Sequence, residues 1–300
     1  SPRQRQWLQI EKQKNNDSEP FVDTARLQAE MKNWKYPLHF IDFETARTAI
    51  PFNSGRAPYE QMAFQFSHHM VHEDGRVEHK SQYLNTKKGE FPNFDFVRAL
   101  RETLRHDEGT IFRYHIHENT VLREIREQML ALATPLPDQA ELVEFIDSIT
   151  RWKIDKENYS DQPRAMVDLF EIVKDYHYDP ATEGSISIKR VLPSILNSSE
   201  ELQAKYAKPI YGTAKIPSLN FKDKTWLTCV EPGNVSDPYK ELDPIFKDID
   251  RRAIDRLIAE ESLSDGGAAM TAYAKMQFTQ MHPDETHDVS QALLRYCELD

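Results

Sequence analysis

The chain has 300 residues, of which 39% are hydrophobic and 10% aromatic, so it can bury a sizeable core and wholesale disorder is excluded. Its formal net charge is −11, from 38 basic and 49 acidic residues, which argues against a protein that coats nucleic acid by charge alone. An enzyme that reaches phosphate through a bound metal ion is compatible with this charge, because the metal supplies positive charge locally.

Cysteine content and hydropathy exclude several other classes. Cys229 and Cys297 are far apart and form no Cys-x-x-Cys motif, so neither a zinc ribbon nor a disulfide scaffold is indicated. No apolar run reaches the roughly 18 residues of a membrane span, and the chain opens on no signal-peptide pattern. We therefore expect a cytoplasmic protein with no membrane partner.

The predicted elements begin after a polar lead-in, residues 1–36, which has two weak helical stretches and is interpreted as a linker. Three strand-like runs follow: PLHFIDF (37–43), QMAFQFSHHMVHE (61–73) and RVEHKSQYL (76–84). The second and third runs are joined by Asp74 and Gly75, and Asp-Gly between two such runs is a strong hairpin signal. We expect the three strands to form an antiparallel meander.

Helical and strand patterns alternate in the rest of the chain. In order they are a helix FDFVRALRETLR (94–105), a strand TIFRYHI (110–116), a helix ENTVLREIREQML (118–130), an apolar element AMVDLFEIVKDY (165–176), a short helical unit SISIKRVLPSIL (185–196) and a closing helix DVSQALLRYCELD (288–300). This order predicts an α/β fold over residues 37–300, with a mixed sheet of antiparallel meander plus parallel strands, flanked by helices.

One segment breaks the alternation. Residues 200–250 are rich in Pro, Asp and Lys and show no clear period, so we expect an irregular insertion over about 200–285. Insertions between core elements become surface loops. We therefore expect this insertion to pack at the rim of a functional site and to restrict which substrate strands can enter that site.

Two acids interrupt the apolar run HFIDFET. Asp42 and Glu44 share one face of the predicted strand, because residues i and i+2 point the same way. Two adjacent like charges are costly unless a cation lies between them. Hard carboxylate oxygens suit Mg²⁺ or Mn²⁺ better than zinc. The alternative is that both acids lie at a strand end and face water.

Other polar residues could complete such a site. Tyr296 and Asp300 in YCELD are four residues apart, so they share one helix face. A carboxylate with a phenol one turn away can complete a metal site and orient a water molecule. Glu118 follows the strand 110–116 at a strand-to-helix turn, where sites collect in open sheets. Cys297 is interpreted as a packed thiol, off the face of Tyr296 and Asp300, without a catalytic role.

These motifs resemble the DEDD exonucleases, which are DnaQ-like 3′–5′ exonucleases of the ribonuclease H-like fold, and the tyrosine resembles their DEDDy branch. From about Tyr36 onwards the chain also resembles the bacterial "domain of unknown function 2779", in the stretches IDFET, PYEQMAFQFSHH, MVDLFEIVKDYHY, GSISIKRVLPSIL, SDGGAAMTAY and LLRYCELD. Members of that family often follow a RecB-like nuclease segment in longer proteins, so such a segment is an expected partner.

The resemblance implies a metal-dependent nuclease, a 3′–5′ exonuclease acting on DNA or RNA with two divalent ions, Mg²⁺ or Mn²⁺, about 3.5–4 Å apart. It implies that Asp42, Glu44 and Asp300 are metal ligands. It also implies that Tyr296 orients or deprotonates the attacking water. By its position Glu118 is the second-motif ligand. The common DEDD pattern carries Asp at that place, and because of this departure Asp168 is the reserve candidate.

Two other functions stay open at this stage. The departure at Glu118 allows a catalytically degraded module of the same fold, which would bind nucleic acid or a partner without cutting it. The stretch HIHE (115–118) also resembles the ligands of a cupin metal site. A cupin site requires a small β-barrel with its ligands on strands, whereas the residues after HIHE have a helical pattern.

Basic and histidine residues are weaker candidates. Arg56, Lys189 and Arg190 lie in segments that resemble the family, and they are candidates for holding a nucleic-acid backbone. Solvated surface charge is the simpler interpretation for any one of them. His68 and His69 are interpreted as sheet residues rather than metal ligands.

Overall fold

The structure, a computed structural model, describes residues 2–155, 158–160, 162–231, 234–242 and 266–300. The described helices are α1 (Pro2–Lys14), α2 (Thr24–Met31), α3 (Asn93–Leu104), α4 (His117–Leu130), α5 (Gln139–Ile149), α6 (Leu169–Tyr176), α7 (Ile188–Ser198), α8 (Glu200–Tyr206), α9 (Gly266–Phe278) and α10 (Pro283–Leu299). The described strands are β1 (Phe21–Val22), β2 (Leu38–Ala46), β3 (Met62–Val71), β4 (Val77–Leu84), β5 (Ile111–Arg113), β6 (Val167–Asp168), β7 (His177–Tyr178), β8 (Val230–Glu231) and β9 (Asn234–Val235).

The central sheet has the strand order β4-β3-β2-β5-β6. Strands β2, β3 and β4 form an antiparallel meander, while β5 and β6 continue the sheet in parallel with β2. Asp74 and Gly75 lie in the β3–β4 hairpin turn, as predicted, and Gly75 has a φ of 81° that glycine tolerates best. The prediction of an α/β fold with a mixed sheet flanked by helices is confirmed.

Strand alternation in β2 separates two apolar layers. Ile41 and Phe43 belong to a buried cluster with apolar residues of α3, α4 and α5. Ala46 belongs to a second cluster, formed with residues of α9 and α10. Because Asp42 and Glu44 alternate with Ile41 and Phe43, they point toward the layer that contains α10.

The polypeptide after β5 differs from the prediction. The strand expected over 110–116 ends at Arg113, and the next residues form a tight turn in which His115 has a φ of 72°. The Arg113 guanidinium donates to the His115 carbonyl, and the Asp168 carboxylate accepts from the His115 amide at 2.8 Å. These bonds satisfy backbone groups that a longer strand would have paired, and they place Glu118 in the first turn of α4.

The lead-in predicted over 1–36 contains α1, β1 and α2. Strand β1 pairs antiparallel with β7, and Arg5 on α1 donates to carbonyl groups at the end of α6, including that of Lys174 at 3.3 Å. A cation at a helix C-terminus satisfies carbonyls that lack an intrahelical partner. The described part of the lead-in therefore packs against the α6–β7 region.

The predicted insertion is only partly described, since residues 243–265 lie outside the described ranges. Ser218 and Asn220 contact α10 through the carboxylate of Glu298. Asn220 also accepts from Gln82 on β4 at 3.3 Å. Among the helices that the structure describes, none combines the length and the apolar character that crossing a membrane requires.

Candidate metal centre

Asp42 and Glu44 lie inside β2, because the strand continues to Ala46. Glu44 is 5% exposed and Asp42 is half-buried, so the alternative of two acids facing water at a strand end does not hold. The register with β3 shifts between Glu44 and Thr45. Such bulges bend a strand and re-aim its side chains, often beside functional sites.

Helix α10 and the residue after it bring the side chains of Tyr296, Cys297 and Asp300 close to the acids of β2. Potential ligand atoms of Asp42, Glu44 and Cys297 all lie within 4.8 Å of one another. Cys297 Sγ is 3.4 Å from Asp42 Oδ2. The interpretation of Cys297 as a packed thiol is confirmed by its burial. Its expected place off the face of Tyr296 and Asp300 was wrong, because positions three and four residues apart on a helix are neighbours. The three-residue spacing of Cys297 and Asp300 in the sequence already indicated that they are neighbours on the helix.

Glu118 supplies a carboxylate from the start of α4. It is 3% exposed, and its Oε2 atom is buried without a hydrogen-bond partner among the described residues. In Asp168, the reserve candidate, Oδ2 accepts from Arg113 at 2.7 Å and Oδ1 accepts from the His115 and Phe170 amides at 2.8 and 3.0 Å. Asp168 is thus occupied in holding the turn and capping α6, whereas Glu118 has an oxygen available to a ligand.

The four carboxylates repel one another. Burial, followed by the charge of Asp300, raises the pKa of Asp42 to about 7. Burial and the charge of Asp42 raise the pKa of Glu44 and of Glu118 well above their usual values. Burial also raises the pKa of Asp300, which Lys189 opposes. Without a divalent cation the cluster is therefore partly protonated near neutral pH, as expected for crowded acids.

Two phenols face this cluster. Burial, and then the charge of Asp300, raise the pKa of Tyr296 above its usual value, and the same causes raise the pKa of Tyr239. Both side chains therefore keep their protons at neutral pH. Tyr239 lies in a short 3₁₀ helix, Pro238–Glu241, and was not predicted, since nothing in its local pattern indicates proximity to Asp300.

The three basic candidates have different environments. Lys189 Nζ donates to Tyr296 Oη at 3.1 Å, so it lies within the cluster. Arg190 is exposed and is 3.8 Å from Glu183. Arg56 lies over the Phe91 ring at 3.5 Å and pairs with a glutamate. Of these three, only Lys189 is brought to the acids.

An open groove of about 1060 Å³ runs along α4. Asn119, the residue after Glu118, lies on its wall. Other lining residues include Arg47, Arg56, Tyr59, Arg123, Arg151 and Trp152. Arginines here are accompanied by glutamates, such as Glu124 at 2.6 Å from Arg47, so the groove has mixed charge.

The histidines do not form a cupin-type site. His115 lies in the turn after β5 and His117 in the first turn of α4, whereas the cupin interpretation requires strand positions. His117 Nε2 is 3.2 Å from the Thr45 hydroxyl. His68 and His69 lie in β3, as expected for sheet residues.

The donor set fits a hard divalent cation. The charges of Glu118 on α4 and of Asp300, the residue after α10, act on the acids of β2. Glu118 Oε2 and Asp300 Oδ1 are both buried without a hydrogen-bond partner in the described part of the chain. Such orphaned anionic oxygens are costly unless a cation or water completes them. Burial and the charge of Asp42 raise the pKa of the Cys297 thiol, so the thiol is neutral and donates to Asp42. The remaining potential ligands are carboxylate oxygens, which fit Mg²⁺ or Mn²⁺.

Comparison with known proteins gives one match. Residues 39–187 match the family described as a domain of unknown function, DUF2779. No curated protein and no solved structure matched the chain. The matched segment contains Asp42, Glu44 and Glu118, whereas α10 lies outside it. Over this segment the chain is similar to the DUF2779 family, which its sequence motifs resemble.

Proposed function

We propose that the chain is a metal-dependent nuclease that hydrolyses phosphodiester bonds of DNA or RNA, with 3′–5′ exonuclease polarity expected from the DEDDy resemblance. The observation that carries this proposal is the convergence of four carboxylates, Asp42, Glu44, Glu118 and Asp300, from three distant parts of the chain. Their electrostatic coupling and their orphaned oxygens are difficult to explain as stabilising features. Perturbed acids of this kind cluster at functional sites.

The sheet supports a ribonuclease H-like assignment of the fold. An antiparallel meander followed by parallel strands is the sheet that this assignment predicts. Glu118 follows β5, the parallel neighbour of β2, whereas Asp42 is the middle residue of β2 and Glu44 lies in its second half. Carboxyl ends of parallel strands meet at one edge, where ligands bind in open sheets.

The residues divide the chemistry between them. Asp42, Glu44, Glu118 and Asp300 would hold a pair of Mg²⁺ or Mn²⁺ ions. When bound, these ions would supply the charge that promotes ionisation of water and stabilises the leaving 3′-oxygen. Tyr296 keeps its proton, which favours orienting the attacking water over deprotonating it.

The groove beside α4 supports a path for a single strand. Arg123 lies 4.5 Å from the centroid of the Trp152 ring, and Tyr59, which also lines the groove, is 64% exposed. Exposed aromatics stack on bases without sequence preference, and arginines contact phosphates. Because the lining residue Asn119 follows Glu118 directly in the chain, a strand in this groove would pass near that acid.

The test is incubation of wild-type protein with end-labelled single-stranded DNA and RNA in Mg²⁺, Mn²⁺ or EDTA. We expect shortening from the 3′ end with either metal, none in EDTA, and none with Asp42→Asn. Asp74→Asn is the matched control, because Asp74 lies in an exposed turn with its side chain 66% exposed. Cleavage by Asp42→Asn at the wild-type rate would exclude this site. Metal binding without cleavage of any substrate would favour the degraded binding module.

A further inference from the structure

The cluster contains one sulfur donor that the chemistry above does not use. Potential ligand atoms of Asp42, Glu44 and Cys297 all lie within 4.8 Å of one another, so the sulfur belongs to the same group as the two acids of β2. Glu44 and Cys297 are buried, whereas Asp42 is half-buried and leaves the group accessible from solvent. Mg²⁺ and Mn²⁺ prefer oxygen ligands, but sulfur is a preferred ligand of zinc. The same acids therefore belong to two possible donor sets, one of oxygens alone and one that includes the thiol.

The spacing of the sulfur and the nearest carboxylate oxygen matches a tetrahedral zinc site. Cys297 Sγ is 3.4 Å from Asp42 Oδ2. Zinc binds sulfur at about 2.3 Å and carboxylate oxygen at about 2.0–2.2 Å, which in a tetrahedron separates the two ligand atoms by about 3.5–3.7 Å. A zinc ion can thus bind both atoms after they move apart by only a few tenths of an ångström.

Other side chains supply the remaining ligands that a four-coordinate ion needs. Glu44 belongs to the same group of ligand atoms. Asp300 comes three residues after Cys297, on the same side of the helix, and its Oδ1 atom is buried without a hydrogen-bond partner in the described part of the chain. Glu118 is 3% exposed and also keeps an unpaired Oε2 atom, and its charge acts on Glu44. One sulfur and three carboxylate oxygens would complete a zinc site.

The thiol proton occupies the position that the ion would take. In the metal-free protein this proton lies between Cys297 Sγ and Asp42 Oδ2. When zinc binds, the S–H bond breaks, a Zn–S bond forms and the proton passes to solvent, because the charge of the ion deprotonates a coordinating thiol. Mg²⁺ and Mn²⁺ gain little from sulfur, so with these ions the thiol keeps its proton and its hydrogen bond. The softness of the cation therefore determines whether Cys297 is a donor to Asp42 or a ligand.

We propose that Asp42, Glu44 and Cys297 form a zinc site with Asp300 as the fourth ligand, and that zinc bound there excludes Mg²⁺ or Mn²⁺ and inhibits hydrolysis. The zinc site rests on the geometry of these side chains. Its inhibitory effect rests on the proposed nuclease function, because the two kinds of ion share the carboxylates of β2.

The first experiment uses Co²⁺ as a spectroscopic probe for zinc. Cobalt bound to a thiolate gives a charge-transfer band in the near ultraviolet, and tetrahedral cobalt has strong visible bands. The chain has two cysteines, so Cys229→Ser leaves Cys297 as the only source of a thiolate. We expect these bands in wild type and in Cys229→Ser, their loss when Zn²⁺ displaces Co²⁺, and no charge-transfer band in Cys297→Ser. Absence of the charge-transfer band in Cys229→Ser would overturn the inference, whether or not Cys297→Ser folds.

Calorimetry compares the two classes of metal ion. We expect Cys297→Ser to lose roughly 100-fold in Zn²⁺ affinity, as for one of four zinc ligands. Its Mn²⁺ affinity should stay within about threefold of wild type, since serine keeps a donor to Asp42. Cys229→Ser is the matched control and should bind both ions as wild type does. An equal loss of affinity for Zn²⁺ and Mn²⁺ in Cys297→Ser, or none for Zn²⁺, would overturn the sulfur ligand.

Inhibition is measured on single-stranded DNA in Mn²⁺ with increasing Zn²⁺, each variant against its own zinc-free rate. Zinc should inhibit wild type and Cys229→Ser at equal concentrations, while Cys297→Ser should need roughly 100-fold more. Equal inhibition of Cys297→Ser, or cleavage supported by Zn²⁺ alone, would overturn the inhibitory role. A thiolate–Co²⁺ band without any cleavage in Mn²⁺ or Mg²⁺ would refute the nuclease and leave the zinc site. Cleavage in Mn²⁺ without that band would leave the nuclease and refute the zinc site.

Discussion

The thiol of Cys297 lies 3.4 Å from Oδ2 of Asp42, a contact between residues that are 255 positions apart in the sequence. Cys297 is fully buried. Burial and the charge of Asp42 raise the pKa of the thiol, so it stays protonated and acts as a donor. In turn, this hydrogen bond lowers the pKa of Asp42, against the larger effect of burial. The contact thus joins α10 to β2 and also tunes the first acid of the cluster.

Replacement of Cys297 should separate a donor role from a ligand role. Cys297→Ser keeps a donor, and we expect Mn²⁺ affinity within about threefold of wild type, as for one retained hydrogen bond. Cys297→Ala removes the donor, so Asp42 binds its proton more tightly and Mn²⁺ binding weakens most at about pH 6–7. Calorimetry at two pH values measures both variants. A large loss of affinity in Cys297→Ser would instead identify the sulfur as a ligand.

Stability of the metal-free protein should fall as the pH rises from about 4 to 7. The pKa of Asp42 is raised from 3.8 to about 7, so over this range the unfolded chain loses a proton that the folded chain retains. Folding is then opposed progressively until the pH passes the folded pKa. Asp42→Asn removes the contribution of Asp42 to this dependence, while the raised pKa values of the other acids keep the rest. We expect the variant to be more stable than wild type at pH 7.5 by roughly 1–2 kcal/mol. Urea unfolding in EDTA at pH 5 and 7.5 measures the difference. Equal pH dependence of the two proteins would contradict the crowding of acids.

Tyr296→Phe should uncouple metal binding from turnover. The variant keeps every proposed carboxylate ligand, so millimolar Mg²⁺ or Mn²⁺ should raise its melting temperature as much as that of wild type. The rate should fall by about 10²-fold, since the hydroxyl that orients water is lost. Melting curves with and without metal, together with single-turnover rates, test this. A variant that loses metal stabilisation as well would show that the phenol also supports the ligands.

Substitutions of Glu118 and of Asp168 should have opposite effects on protein stability and on Mn²⁺ affinity. Glu118→Gln removes a proposed carboxylate ligand, so we expect Mn²⁺ affinity to fall by at least about tenfold. The same change removes a repelling charge, so the stability of the metal-free protein should be kept or increased. Asp168→Asn leaves the Arg113 guanidinium, which is 5% exposed, without its charged partner. We expect a loss of stability of about 2–4 kcal/mol with a smaller effect on Mn²⁺ affinity. The reverse pattern would make Asp168 the metal ligand.

Glu298 should be a stability determinant that acts on the site through α10. Its buried carboxylate accepts from Tyr211 at 2.7 Å, from Asn220 at 2.7 Å and from Ser218, and it pairs with His79 at 3.1 Å. Glu298→Gln cannot satisfy all these donors, so we expect a loss of about 2–4 kcal/mol in unfolding free energy.

Tyr211→Phe is the milder comparison, with an expected loss of about 1 kcal/mol, since it deletes one donor and leaves the carboxylate. Denaturant unfolding measures both variants. If Glu298→Gln is as stable as wild type, the charge is unnecessary for holding the irregular segment to α10.

Local periodicity explains much of what the sequence predicted. Strand alternation places Asp42 and Glu44 on one face, and helix spacing places Tyr296 and Asp300 on one face, before any tertiary information is used. The same rule, applied at a spacing of three, would have included Cys297. Helix α5 was missed although Leu142, Phe145 and Ile146 are buried along one side of it, a repeat that its sequence shows.

Other features depend on distant contacts. β5 ends at Arg113 because Asp168 from a later strand accepts from the following turn. Tyr239 reaches the acids from a segment without a period. The orientation of Lys189 follows from how α7 packs. The sequence alone does not indicate which of the adjacent residues Lys189 and Arg190 lies near the acids. Such contacts are set by tertiary packing, which no short window of sequence encodes.

The long separation between β2 and α10 has a consequence during synthesis. Domains fold as their chain emerges from the ribosome, at roughly 5–20 residues per second. Cys297 is synthesised 255 residues after Asp42, so the contact between them cannot form until that length of chain has been made. We predict that a nascent chain lacking α10 cannot cut RNA, including the ribosome and messenger that surround it. Stalled complexes truncated before residue 283 should leave added labelled RNA intact, and cleavage by them would show that β2 and α4 suffice.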